Sequence, residues 1–345
     1  SQIKDLLDPI DSQDAVSKSY LLDLINQLQA QIKYLQKNLS VMPINECIDG
    51  NAGEYECQGV DLMSSVDLDQ LGATMANDCW GWTDALTGRE YAIIGLDNGT
   101  AFIDITIPNL PVIIGKLPTQ TVASTWRDIK VFGNHAYIVS EADNHGMQVF
   151  DLTHLRETTT YTVFSADSHY DGFGSAHNIA INENSGYAYA VGTQTYNGGA
   201  HFIDISNPVN PTSAGGYDEK GYSHDAMIVT YNGPDFDYKG KEIYIGSNED
   251  EVVIVDVTDK SNPTFISSFQ YSSTQFTHQG WLTEGHKYFL VGDELDEVEF
   301  GINARTIILD FSDLDEPVNH VEYISPNAVV DHNGYVVGDL FYLAS

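Results

Sequence analysis

Two hydrophobic rhythms divide the chain. Between Gln13 and Leu39 there is no Gly or Pro, and Leu21, Ile25, Leu28, Ile32, Leu35 and Leu39 recur at alternating steps of four and three. That period lines one stripe of an α-helix. Residues 1–40 are therefore expected to form a helical segment. Its stripe either packs on the following domain or pairs with another copy as a coiled coil. After Leu39 the pattern becomes short runs of β-branched and aromatic residues separated by Gly, Asn, Asp and Pro, which is the signature of strands and turns.

One such run keeps returning: AFIDI (101–105), MQVFDL (147–152), HFIDIS (201–206), VVIVDVT (252–258) and TIILDFS (306–312). Its Asp falls at 104, 151, 204, 256 and 310, in steps of 47, 53, 52 and 54. Two strand-like runs precede it and one follows, often past an Asn-Pro or Glu-Pro turn. Four strands per repeat of about fifty residues predict an all-β fold, a β-propeller of four-stranded blades. Five blades are complete and part of another is present. A β-sandwich would alternate without so fixed a period. The repeated Asp is expected at a blade corner, accepting turn N–H groups, with no catalytic role. The propeller domain is assigned to residues 41–345. VDLMSSVDL (60–68) resembles an outer strand without inner strands before it, and residues 328–345 hold two inner strands without a third. The domain therefore reads as incomplete at its C-terminal end, with a gap in the ring.

Charge and cysteines narrow the setting. Lys and Arg number 15 against 50 Asp and Glu, a formal charge of −35. So acidic a surface repels nucleic acid and anionic lipid. No apolar run is long enough to span a membrane. Cys47 and Cys57 lie ten apart in a Gly/Asn-rich stretch without a zinc-type pair, so a disulfide is the preferred reading. Cys79 is expected to be a small buried hydrophobe. No signal peptide is visible at Ser1, as in a processed exported chain.

The run VVIVD (252–256) resembles the LVIVD repeat. Together, AGEYEC (52–57), WGWTDALTGREYA (80–92), NGTAFIDI (98–105), STWRDIKV (124–131), HGMQVFDL (145–152), SHDA (223–226), SNEDEVVIVDVTDK (247–260), THQGWLTE (277–284), GDELDE (292–297) and DHN (331–333) resemble the choice-of-anchor B family of bacterial surface proteins. The resemblance covers about residues 45–345 and leaves out the N-terminal helix. It implies a secreted or cell-surface location, with the signal peptide already removed, and implies no reaction.

The chemistry with the clearest pattern is a histidine column. The first strands of successive repeats begin WRDI, AHNI, SHDA, THQG and DHNG. His177, His224, His278 and His332 share one position in this register, with Arg127 there in the preceding repeat. Asp128, Asn178, Asp225, Gln279 and Asn333 follow. First strands line a propeller's axis, so four imidazoles are expected to converge on a transition metal such as Zn, Cu or Mn. Asp225 and Gln279 would complete the shell. Asp128, Asn178 and Asn333 would act as outer partners, and Arg127 would steer an anion. Metal would be lost below about pH 6.5 as imidazoles protonate. The alternative is that these histidines only bond neighbouring blades. His135, His145, His154, His169, His201, His286 and His320 show no such alignment and read as ordinary.

Acidic loops form a second set. GDELDEVEFG (292–301) carries Asp293, Glu294, Asp296, Glu297 and Glu299, and GPDFDYKG (233–240) carries Asp235 and Asp237. Clustered hard oxygens suit Ca²⁺, although none matches an EF-hand loop and a solvated loop is the plainer reading. No nucleophile elbow, P-loop or dinucleotide fingerprint is present. Two functions remain open. One is a cation-stabilised surface module binding a glycan, protein or matrix partner, with self-association through the helix. The other is a metal-dependent enzyme (hydrolase, polysaccharide lyase or redox) using the axial histidines.

Overall fold

The computed structural model describes Leu21, Ile25 and residues 43–344. Leu21 and Ile25 are helical and exposed; the helix expected over residues 1–40 otherwise lies outside the described residues. Two compact units divide the chain. The first comprises, among its described residues, Leu21, Ile25 and 43–66 with Ile107–Val112. Within it, Asn51–Ala52 pairs with Tyr55–Glu56. Cys47 and Cys57 are disulfide-bonded, with Cα atoms 5.9 Å apart, as the spacing suggested.

The second unit, Asp67–Thr106 with Ile113 onward, is a β-propeller. The first blade is Ala76–Thr83, Glu90–Leu96, Gly99–Asp104 and Val112–Pro118. The second is Arg127–Phe132, His135–Ser140, Met147–Asp151 and Ser168–Tyr170. The third is Asn178–Asn182, Tyr187–Val191, Ala200–Asp204 and Thr212–Tyr217. The fourth is Asp225–Thr230, Glu242–Ser247, Val252–Asp256 and Thr264–Phe269. The fifth is Thr277–Leu282, Tyr288–Asp293, Arg305–Asp310 and Val318–Ile324. Strands run antiparallel within each blade, in sequence order from axis to rim. Gly334–Val337 and Leu340–Leu343 form a further two-stranded sheet.

The recurring run is each blade's third strand. Neighbouring blades cover both its faces, which is why it reads as continuous apolar residues rather than an alternation. Val252–Asp256 is buried at every position but the Asp. That Asp closes an identical corner five times. Its Oδ1 accepts the N–H two residues on, from Thr106, Thr153, Ser206, Thr258 and Ser312, at 2.8–3.0 Å. The corner reading of Asp104, Asp151, Asp204, Asp256 and Asp310 holds.

First strands pack side by side around the axis. Tyr335, in the two-stranded sheet, meets Trp281 of the fifth blade at 4.8 Å between ring centroids and Trp80 of the first at 6.0 Å. The two-strand sheet thus reaches from the fifth blade to the first at the axis. It has no third or fourth strand among the described residues.

One local expectation is corrected. Residues 60–68 do not form a strand. Leu62 makes a single bridge to Asn45, and Leu68–Leu71 is a short helix. The Asp67 N–H is capped by Gln70 Oε1, and Gly72 ends the helix at φ 60°. In the second blade, residues 152–163 depart from the rim. Leu152–Leu155 is a 3-10 turn, and Thr162–Val163 pairs parallel with the first blade's outer strand.

Candidate metal centre in the axial channel

The repeating register of the first strands explains why the histidines meet. Each lies at or just before the start of a first strand, and successive first strands are neighbours. Equivalent side chains therefore stand next to one another around the axis. Ring centroids are 4.1 Å apart from His177 to His224, 4.6 Å from His224 to His278 and 4.3 Å from His278 to His332. The four form an arc. Stepping back fifty residues from Arg127 gives the first blade's member, Asn77, which the sequence reading passed over.

Two carboxylates complete the arc, both from the residue just after a second strand. Glu294 places Oε2 3.8 Å from His278 Nε2 and Oε1 3.7 Å from His332 Nε2. Ligating atoms of His278, Glu294 and His332 all lie within 4.8 Å of one another. At the other end, Glu141 Oε1 is 2.6 Å from His177 Nδ1. Glu294 was expected to hold calcium, and Glu141 went unnoticed. Its signal was positional, since 141 and 294 follow equivalent strands.

Electrostatics favour neutral imidazoles. Burial, then the neighbouring His177, lowers His224 to about 3; burial, then His224, lowers His278 to about 2. His224 Nδ1 faces the His278 carbonyl at 3.2 Å. His278 is 3% exposed, and its Nδ1 has no hydrogen-bond partner. A neutral imidazole is the form that ligates a metal. Two imidazole nitrogens with one carboxylate leave open positions for water or an exogenous ligand.

The arc faces a cavity of about 770 Å³, lined also by Trp126, Asn178, Asn333 and Tyr342. Asn333 Oδ1 is buried without a partner. A second cavity of about 260 Å³ adjoins Trp80, Lys130, Met227 and Trp281, further along the first strands.

Other expected site residues do different work. Arg127 is fully buried and is not aimed at a channel anion. Its guanidinium donates to Leu96 O at 2.9 Å and Thr119 Oγ1 at 2.8 Å, and meets His145 Nε2 at 2.9 Å. Asp128 is not an imidazole partner: Oδ1 binds Lys130 Nζ at 2.8 Å and Oδ2 accepts the Ile179 N–H at 2.7 Å. Asp78 accepts the Ile129 N–H at 2.9 Å, and Gln279 accepts the Gly334 N–H at 2.9 Å. One position thus repeatedly clasps the next first strand, a job that removes Asp128 and Gln279 from the histidines. Asp225 accepts the Ala226 N–H at 2.5 Å. Burial, then Asp128, pushes its carboxyl up to about 7. Asn178 lines the cavity without a side-chain bond among those described.

The acidic loop splits. Asp293, fully buried, accepts N–H groups of Gln275 and Phe276 at 2.8 Å and the Tyr271 hydroxyl at 3.0 Å. Asp296 is paired with Arg305, and Glu297 accepts the Arg305 N–H. Asp235 gathers with Asp313 and Asp315, not with Asp237. Cys79 is free and solvent-accessible, lining the axial cavity rather than filling the core. His145 and His201 are ordinary, as read. Burial holds both to about 4, and His201 bonds Tyr170 and Thr195.

Residues 125–152, 173–219 and 237–270 match the family model described as the LVIVD repeat. The chain carries LVIVD repeats. No curated protein matches the chain. Among solved structures it is similar to a functionally unknown protein from Desulfotomaculum acetoxidans, at 11% identity and TM-score 0.49, covering 72% of this chain and 70% of that one. A chain of a nidogen/laminin complex aligns at 9% identity and TM-score 0.45, covering 73% and 84%. A hypothetical selenium-binding protein from Sulfolobus tokodaii aligns at 12% and 0.45, covering 70% and 60%. The LVIVD repeats occupy the second, third and fourth blades, and two of the arc's histidines lie in or beside them. No helix among the described residues is long and apolar enough to cross a membrane.

Proposed function

We propose that this propeller is an extracellular binding module built around a divalent transition metal held by His278, Glu294 and His332. One observation carries the reading: ligating atoms from three residues, set 54 residues apart for the histidines and one strand away for Glu294, converge within 4.8 Å. Nitrogen and carboxylate donors suit Zn, Cu or Mn. Asp225 and Gln279 lie outside this group of converging atoms, and the Gln279 side-chain carbonyl accepts the Gly334 N–H. The Cys47–Cys57 disulfide supports an oxidising, exported setting. The metal would present its open positions to a glycan, protein or matrix group entering the cavity.

A metal-dependent enzyme is the second reading. The specific observation in its favour is the Glu141 carboxylate 2.6 Å from Nδ1 of His177, which lines the same cavity. A carboxylate-backed imidazole near a metal can move protons for a bound reactant. Elemental analysis of freshly purified protein tests the shared premise. About one transition-metal ion per chain is expected in the wild type, and none in the His278→Ala/His332→Ala variant with an unchanged circular dichroism spectrum. Equal metal in both would sink it.

A further inference from the structure

We propose that the second cavity, further along the first strands than the histidines, binds one neutral pyranose ring of a sugar. The first strands share one register, so the residue three places past each histidine position recurs around the axis. That residue is Trp80, Lys130, Ala180, Met227, Trp281 and Tyr335 in turn. Five of the six line the cavity of about 260 Å³, and Tyr335 backs Trp281 at 4.8 Å between ring centroids. Such a volume lies just below the range usual for drug-sized ligands, so the fitting occupant is a single small ring.

The hairpin joining the fifth blade's first two strands departs from its counterparts. Each of these first hairpins passes one residue through positive φ. In five of them it is a glycine: Gly88, Gly133, Gly186, Gly240 and Gly338, at φ 58–83°. In the fifth blade it is His286, at φ 51°. A residue with a Cβ is strained there. Strain kept at one hairpin and relieved at five others points to a use for the side chain, and His286 lines the cavity. The Asn232 N–H donates to its Nδ1 at 3.1 Å. Burial lowers its pKa, so the ring is neutral and carries its proton on Nε2. That N–H makes no hydrogen bond among the described residues, which leaves one donor for a ligand oxygen.

Charge selects the ligand class. The Lys130 ammonium is compensated by Asp128 Oδ1 at 2.8 Å and lies 4.7 Å over the Trp80 ring. It repels a cation from this wall and has no free charge to offer an anion. Glu183, exposed at the rim, has no ion-pair partner among the described residues. Its carboxylate accepts from hydroxyl groups and repels anions. The fitting ligand is therefore neutral, with hydroxyls for Glu183 and His286 and an apolar face for the half-buried Trp281. A sugar ring has both. A purely aromatic ligand would leave the His286 donor and the Glu183 acceptor unused. The site involves neither the metal nor His278, Glu294 and His332.

The test is a ligand-observed NMR titration of the full chain with the methyl glycosides of glucose, galactose, mannose and N-acetylglucosamine. At least one should bind with a Kd in the millimolar range or tighter. His286→Gly should weaken that glycoside about tenfold or more. The same variant should melt at or above the wild-type temperature, because it supplies the residue the five other hairpins use. Trp281→Ala should abolish binding and Trp281→Phe should retain part of it. The corresponding uronic acid should bind more weakly than the neutral glycoside. His278→Ala/His332→Ala should bind the glycoside as wild type does, so failure of the metal centre and failure of this site are separable. No binding of any glycoside by wild type at tens of millimolar would overturn the proposal. So would unchanged affinity in His286→Gly, tighter binding of the uronic acid, or binding of free indole without binding of any glycoside.

Discussion

Replacing Asp128 by Ala should be among the most damaging single changes in the ring. The side chain is 5% exposed and makes two bonds that no neighbour can replace together. Oδ2 accepts the Ile179 N–H of the third blade at 2.7 Å, and Oδ1 holds Lys130 at 2.8 Å. Removing the carboxylate leaves a buried N–H without an acceptor, costing about 1–3 kcal/mol. It also strips Lys130, whose side chain is 13% exposed, of its closest counter-charge. Breaking a buried pair from one side typically costs about 3–5 kcal/mol. Lys130 still feels Asp78 and Asp225 and lies 4.7 Å over the Trp80 ring, so the two penalties do not simply add. The expected total is about 3–5 kcal/mol, read as a fall in urea midpoint at unchanged slope. Asp128→Asn keeps an acceptor for Ile179 and should lose roughly half as much. If Asp128→Ala costs under about 1 kcal/mol, the position is not an inter-blade clasp.

Three further outcomes follow from the same geometry. His145 and His201 are held neutral, with folded pKa values near 4 against about 6.5 unfolded. The unfolded chain therefore binds more protons between those limits, and stability must fall as pH drops from 6.5 towards 4. From pH 6.5 to 5 each contributes up to about 2 kcal/mol, so His201→Gln should flatten the pH slope of urea unfolding; an unchanged slope refutes the assignment. In the native, unreduced protein, iodoacetamide should label Cys79 alone, slowly because partial desolvation within the cavity and the neighbouring Asp78 raise its thiol pKa. Mass spectrometry should find the Cys47–Cys57 peptides linked; label at either of those two contradicts the disulfide. Asp204→Ala removes one corner bond to the Ser206 N–H and should cost about 0.5–1.5 kcal/mol; a neutral result there would deny the corner its structural role.

Much of the fold was legible because propeller blades are local units. Each blade's third strand is buried on both faces, so its sequence is an unbroken apolar run ending in the same corner Asp. A fifty-residue period then counts the blades. The histidine arc was legible for the same reason, since register within a repeat becomes position around the axis. What the repeat could not reveal was direction. Arg127 occupies the histidine position but turns between the first two blades toward Leu96, His145 and Thr119. Asp128 and Gln279 follow that position but bond the next blade's backbone. Glu141 and Glu294 reach the arc from second-strand ends, and the acidic run around Glu294 suggested a calcium loop rather than a partner for the histidines. Residues 60–68 alternate like a strand, yet Gln70 and Gly72 supply the caps of a helix.

The central claim is that His278, Glu294 and His332 bind one metal together. Titrating chelator-treated protein with Co²⁺ and recording its visible absorption tests it most directly, because d–d bands report both stoichiometry and ligand field. The account predicts saturation at one Co²⁺ per chain, with a spectrum of mixed nitrogen and oxygen ligation. In Glu294→Gln the affinity should fall by about tenfold or more and the spectrum should change. Bands of equal intensity and affinity in the wild type and in His278→Ala/His332→Ala, or no bands in either, would contradict it.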